Sequence, residues 1–283
     1  MFESYSNKVI NRYCLLFAIF LIGINVCAQE QFNSRPLYTD RPGQSINPNT
    51  VGDGVLQLQS GYGYFKSKGI FSEIDLHNVD LVPKLGISDR FEISGLLQYS
   101  SLKLTGLPFV QPSEESPDPE NGVSALGLAA RGTLLKGEGL IPSIGLEAAY
   151  IGSGIPGDEL STSTGRFILT LQNQLLGELS FTGNVVYNTN NQTEFTANLG
   201  YNVVDNFGCF VEYWPIFDAA FDGEDNLVFQ DAYLNSGVFW LIGENWQLDA
   251  LAGFRAFAPD FYSDDESSYY LQVGFTKRFW LKE

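Results

Sequence analysis

The sequence is short of basic residues, histidine, cysteine and long apolar runs. Of its 283 residues only 16 are Lys or Arg against 33 Asp or Glu, giving a net charge of −17. So acidic a chain is a poor match for nucleic acid, whose phosphates need neutralising cations. With His77 as the only histidine, a histidine-rich metal site is excluded, and no metal or cofactor is expected. Cysteine is limited to Cys14, Cys27 and Cys209. The first two lie in a segment with the marks of a secretory signal: Lys8 and Arg12, an apolar run from Cys14 to Ile24, then Val26 and Ala28 before a cleavage point. The run is too short to cross a bilayer as a helix. Val26 stands where a lipoprotein signal wants a small residue before Cys27, so lipid attachment is not expected. Loss of residues 1–28 leaves 14 basic against 32 acidic residues, a net charge of −18, and one cysteine, hence no internal disulfide. No later run is long enough for a spanning helix, so a mature chain that enters a membrane must do so as a closed barrel.

What the chain has is alternation. In YYLQVGFTKRFW, Tyr269, Leu271, Val273, Phe275 and Phe279 fall on every second position, with polar or small residues between. Such a pattern gives a strand one apolar and one polar face. From Gly54 onward, twelve segments behave this way: 55–65, 74–85, 90–100, 123–134, 141–151, 164–175, 178–188, 193–203, 207–214, 229–241, 246–257 and 268–280. Of these, 74–85 and 207–214 are the least regular, the former because it contains Pro83.

The connections are sorted by length. GISD, KGEG, Leu176-Gly177, VDN and GEN are short and alternate with connections that are mostly longer and often acidic, such as TGLPFVQPSEESPDPEN, PIFDAAFDGEDN and APDFYSDDES. A soluble sandwich has no reason for such sorting, whereas an outer-membrane barrel has short periplasmic turns and long outer loops. The expected fold is all-β: a transmembrane antiparallel up-and-down barrel of about twelve strands. Residues 1–28 would be the signal peptide, 29–53 a periplasmic N-terminal segment and 54–283 the barrel. An even strand number puts both termini in the periplasm of a Gram-negative cell. Acids such as Glu114, Glu115, Asp118, Glu120, Asp222, Glu224, Asp225, Asp260, Asp264, Asp265 and Glu266 would form a negative outer rim.

The polar strand faces would line the lumen, and their charged members are the candidates for selectivity: Arg90, Glu92, Arg131, Glu147, Arg166, Glu178, Glu194, Glu212, Asp231, Asp249, Arg255 and Arg278. Replacing Arg166 or Arg255 with Ala would then change conductance or ion preference. Twelve strands enclose more room than side chains alone fill, yet less than a wide porin. Expected partners are outer-membrane lipid and lipopolysaccharide, a small solute, and the barrel-assembly machinery through the last strand.

The stretch LYTDRPGQSINPNTVGDGVLQLQSGYGYF, with Thr39, Asp40, Arg41 and Pro42, and the turn PKLGISDRFEISG together resemble the MetA-pathway phenol-degradation family, a group of transporter-like outer-membrane barrels. The resemblance covers residues 38–280, and Gln59 stands where many relatives carry an acid. It implies passage of small aromatic or hydrophobic molecules. Asp40-Arg41-Pro42 would form either a small plug at the periplasmic mouth or a turn tied to the wall by an arginine–carboxylate pair.

Three other motifs weigh less. His77 invites comparison with an outer-membrane phospholipase, but Val79 stands where that enzyme has its serine, so no catalytic residue is expected. DGEDN lacks the full spacing of a calcium loop. ALGLAARG has no following helix to hold a phosphate. The expected function is passive passage of small solutes; the alternative is a non-conducting structural or surface-binding barrel, with a lipid hydrolase a distant third.

Overall fold

In a computed structural model the described residues are 36–281, apart from 70–72, 107–117, 140, 157, 220–226 and 258–266. The signal segment and most of the acidic loop residues named above, DGEDN among them, lie outside the described residues.

The strands run in chain order: β1 (Val55–Lys68), β2 (Glu73–Ser88), β3 (Phe91–Thr105), β4 (Glu120–Leu135), β5 (Ser143–Ser153), β6 (Thr162–Leu176), β7 (Leu179–Asn188), β8 (Gln192–Val204), β9 (Phe207–Ala219), β10 (Leu227–Ile242), β11 (Trp246–Phe257) and β12 (Ser267–Trp280). Each pairs antiparallel with its neighbours, and β1 pairs with β12 to close a twelve-stranded barrel without a free edge. The alternation thus identified every strand, though several run further toward the long-loop rim than expected, where facing side chains cease to alternate in polarity.

Both irregular segments are full strands. Pro83 keeps its pairing with Leu58 on β1 but falls in a gap of the β2–β3 ladder, between Leu81↔Leu97 and Lys84↔Ser94. Gly95, opposite the gap, leaves room for the proline ring. Pro215 on β9 likewise pairs with Ala232 and falls in a gap of the β8–β9 ladder. A proline cannot donate to a ladder, so it survives inside a sheet where one neighbour forgoes the bond.

The wall is apolar outside and polar inside. Leu128 is 74% exposed, Val273 54% and Phe167 53%, whereas lumen-facing Gln57, Glu92 and Glu212 are at most 1% exposed. That inversion suits a barrel surrounded by hydrocarbon.

Candidate functional site

The buried polar interior is filled by residues 36–54, a loop pushed into the lumen from the short-turn rim. Arg278 donates to the Pro36 carbonyl at that rim (3.1 Å), and the chain returns there to enter β1 at Val55. Between these points the loop touches the wall on almost every side. Gln57 donates to the Tyr38 carbonyl at 2.8 Å, Thr170 to the Ile46 carbonyl at 2.9 Å, and Thr133 to the Pro48 carbonyl at 2.9 Å. Asn184 accepts from the Ile46 N–H at 2.8 Å. A loop with so little regular structure must satisfy its peptide groups in this piecemeal way, which is what the polar lumen supplies.

Asp40 is the hub. Arg131 grips its carboxylate with both terminal nitrogens (2.9 and 2.7 Å), Lys84 pairs with it, and the Asn47 N–H donates to it at 3.0 Å, closing the loop on itself. Lys84 also reaches Glu92 (3.2 Å) and Arg131 reaches Glu147 (2.6 Å). Glu92 in turn accepts from the Val51 N–H at 2.7 Å. Burial alone would raise the Asp40 carboxyl, but Arg131 and Lys84 outweigh it and hold Asp40 well below the usual carboxylate range.

Arg41 does a different job. Its guanidinium lies over Gly61 and Gly274, which face each other across the β1–β12 seam, and a Cβ on either would overlap it. It reaches Asp80 on β2 and Asp249 on β11, each at 3.3 Å, so the ion pairs straddle the seam. Gly274→Val is therefore expected to displace Arg41 and expose the loop to added protease in folded protein, which limited proteolysis before and after substitution would show.

Glu212 is fully buried and holds the far turn of the loop. It accepts from the Gln44 N–H (2.9 Å), the Ser45 N–H (2.8 Å) and Asn235 Nδ2 (2.8 Å). Gly43 makes this approach possible, with φ of +112° and only 3.1 Å between a notional Cβ and Glu212 Oε2.

On the long-loop side of this plug is a cavity of about 210 Å³, with Gln44 in its lining. Phe65, Trp214, Tyr233 and Tyr270 are among its other lining residues, with Asn78 and Gln272 adding polar groups. Trp214 and Tyr233 rings lie 5.2 Å apart, and Tyr233 and Tyr270 rings 6.1 Å apart.

Of the residues marked in the sequence, Glu92, Arg131, Glu147, Glu212 and Asp249 meet at or beside the plug, together with Thr39, Asp40 and Arg41. Arg278 anchors the loop at the rim. Glu194 is bound by Asn188 (2.8 Å) and Trp214 Nε1 (2.9 Å), and Asp231 lies 3.5 Å from Arg255, both inside the lumen. Arg166 faces the lumen from β6, and its buried Nε has no hydrogen-bond partner among the described residues. Two placements differ from expectation. Arg90 and Glu178 sit in exposed short turns, not in the lumen, because tight turns claim them before their strands begin. Pairing missed by the sequence includes Lys84 and Asp80, whose strand is the one interrupted by Pro83. His77 faces outward and its Nδ1 lies 2.6 Å from Tyr62 Oη. Among the described residues no group of three or more His, Cys, Asp or Glu is arranged to hold a metal.

No family model matches the sequence, and no curated protein does. Solved structures do match in fold. The COG4313 outer membrane channel from Pseudomonas putida F1 superposes with a TM-score of 0.55 at 10% identity, over 84% of this chain and 99% of that one. The fold is that of an outer-membrane β-barrel. The KdgM porin follows with a TM-score of 0.48 at 12% identity, over 78% of this chain and 99% of its own, and the NanC porin with 0.48 at 9%, over 78% and 98%.

Proposed function

We propose that the protein is an outer-membrane channel for small aromatic or hydrophobic solutes, gated by its own N-terminal loop. Its long loops face outward and both termini the periplasm, and it belongs with the MetA-pathway phenol-degradation barrels that its TDRP segment and second turn resemble. The observation that carries this reading is the aromatic cavity resting on a plug that polar contacts hold in the lumen. A cavity of about 150 Å³ already admits benzene, so about 210 Å³ suits a one-ring solute with a polar substituent for Asn78 or Gln272. Aromatic faces bind such rings by offset or edge contact. The plug is held by many ion pairs and hydrogen bonds to a polar wall, contacts that water can replace when it leaves.

Flux through proteoliposomes tests this. Phenol is expected to pass slowly through the wild type and faster through Asp40→Asn, while a monosaccharide lags in both. Phenol should also quench Trp214 fluorescence saturably, and the saturable part should vanish in Trp214→Phe. The ion-paired lumen favours one other reading, a non-conducting structural barrel; absence of flux in both proteins would establish that one.

A further inference from the structure

Among the described residues the outer wall carries a cluster of charge near the long-loop rim. Lys66 and Lys68 on β1 and Lys103 on β3 all face outward, on either side of β2. By ladder geometry Lys66 and Lys68 are about 7 Å apart along the strand, and Lys66 and Lys103 about 10 Å apart across two strand spacings. Other cations of the barrel lie elsewhere: Arg166 and Arg255 face the lumen, and Arg90, Lys136 and Lys277 lie at or near the short-turn rim. For a chain of net charge −17, three of its lysines on neighbouring strands run against the general field.

The height of the cluster matters. Tyr62, Tyr64 and Tyr99 on these strands and Tyr269 on adjoining β12 form an aromatic belt, and the lysines stand level with its upper edge or beyond it. An aromatic belt marks the boundary between hydrocarbon and headgroups, so the lysines face headgroups. Two carboxylates share the patch. Lys66 pairs with Glu73 and lies 3.5 Å from Asp75, which also accepts from Tyr64 Oη at 2.7 Å. Lys68 and Lys103 have no ion pair among the described residues. The patch therefore offers two uncommitted cations flanking acceptors for hydroxyls. A phosphorylated sugar fits that mixture better than a glycerophospholipid does, because it brings anion and hydroxyl donors together.

We infer that this face binds the phosphorylated glucosamine headgroup of lipopolysaccharide in the outer leaflet. The inference rests on the orientation proposed above. It is tested by native mass spectrometry of the full mature protein in detergent with bis-phosphorylated lipid A, dephosphorylated lipid A, and inorganic phosphate. Wild-type protein and Lys277→Gln are expected to retain phosphorylated lipid A at least about fivefold better than Lys68→Gln/Lys103→Gln, and the difference should shrink in high salt. Heat-modifiable gel mobility shows that each variant is folded. Equal retention of dephosphorylated lipid A, an unchanged double variant, or competition by phosphate alone that removes the preference would overturn the inference. None of these readouts requires conduction, so a silent channel leaves the test intact. Orientation has its own check: Asp158→Cys on a Cys209→Ser background should react with an impermeant maleimide on intact cells, and failure to react overturns the orientation and the lipid site together.

Discussion

On the proposed gating, Asp40→Asn is expected to conduct steadily in planar bilayers where the wild type opens only rarely. Asp40 gathers Arg131, Lys84 and the Asn47 N–H, and an amide offers a weaker, uncharged substitute for a carboxylate gripped by both nitrogens of an arginine. Breaking one side of a buried ion pair costs about 3–5 kcal/mol. At about 1.4 kcal/mol per decade, the open fraction should rise by roughly a hundredfold or more. The barrel itself should survive, because Lys84 and Arg131 keep Glu92 and Glu147 as partners and the wall cluster is then neutral. Acid gives an independent reading of the same contact. Asp40 is held below its ordinary value, so its contribution is complete above the free carboxylate range near pH 4 and is lost as pH falls below it. Wild-type conductance should be flat from about pH 5 to 8 and climb only in stronger acid. Asp40→Asn should lack that acid-induced rise, and an unplugged wild type at neutral pH would contradict the account.

Glu212→Gln should release the other end of the loop. The carboxylate accepts two adjacent backbone N–H groups and an Asn235 amide in a site without exposed surface. A glutamine presents one acceptor oxygen and an NH2 group, so at least one of the loop N–H groups loses its acceptor and faces an N–H instead. Charge-assisted hydrogen bonds contribute about 1.5–3 kcal/mol each. A loss of about 3 kcal/mol corresponds to a hundredfold rise in opening. Faster cleavage of the loop by added protease, with unchanged gel mobility of the heated and unheated barrel, would separate release of the plug from unfolding. Asn235 is left partly unsatisfied by the same change, so Glu212→Ala, which makes room for water, should open the loop with less damage to the wall.

The barrel was legible because a wall between lipid and a polar lumen imposes a period of two on every strand, and turn length betrays which rim is which. Pro83 and Pro215 blurred that signal without ending their strands, since one-sided ladder gaps leave no mark on the side-chain pattern. The plug was only half legible. Asp40 and Arg41 stood out as a charged pair in a polar segment, but a sequence does not say which wall residues receive them: Asp80 lies 39 positions from Arg41, Lys84 and Asp249 further still, and all are joined to the segment only by closure. Thr170 did not stand out, and Asn184 was legible only as one more residue of the polar face, since their role is to satisfy peptide groups that any hydroxyl or amide at that height could satisfy. Arg90 and Glu178 show the opposite failure, where a correct polar face was extended one step too far into a tight turn.

The loop enters and leaves by the same rim, and its far end is the first residue of β1. Release is therefore a withdrawal without threading, and the freed segment stays tethered at its own docking site. A short tether holds a released segment at an effective concentration on the order of millimolar. Opening and closing are then first-order events of one molecule, insensitive to how many copies the membrane holds. Anything that occupies the vacated side of the lumen must compete with a plug that is never far away, so a barrel gated as proposed would open only briefly.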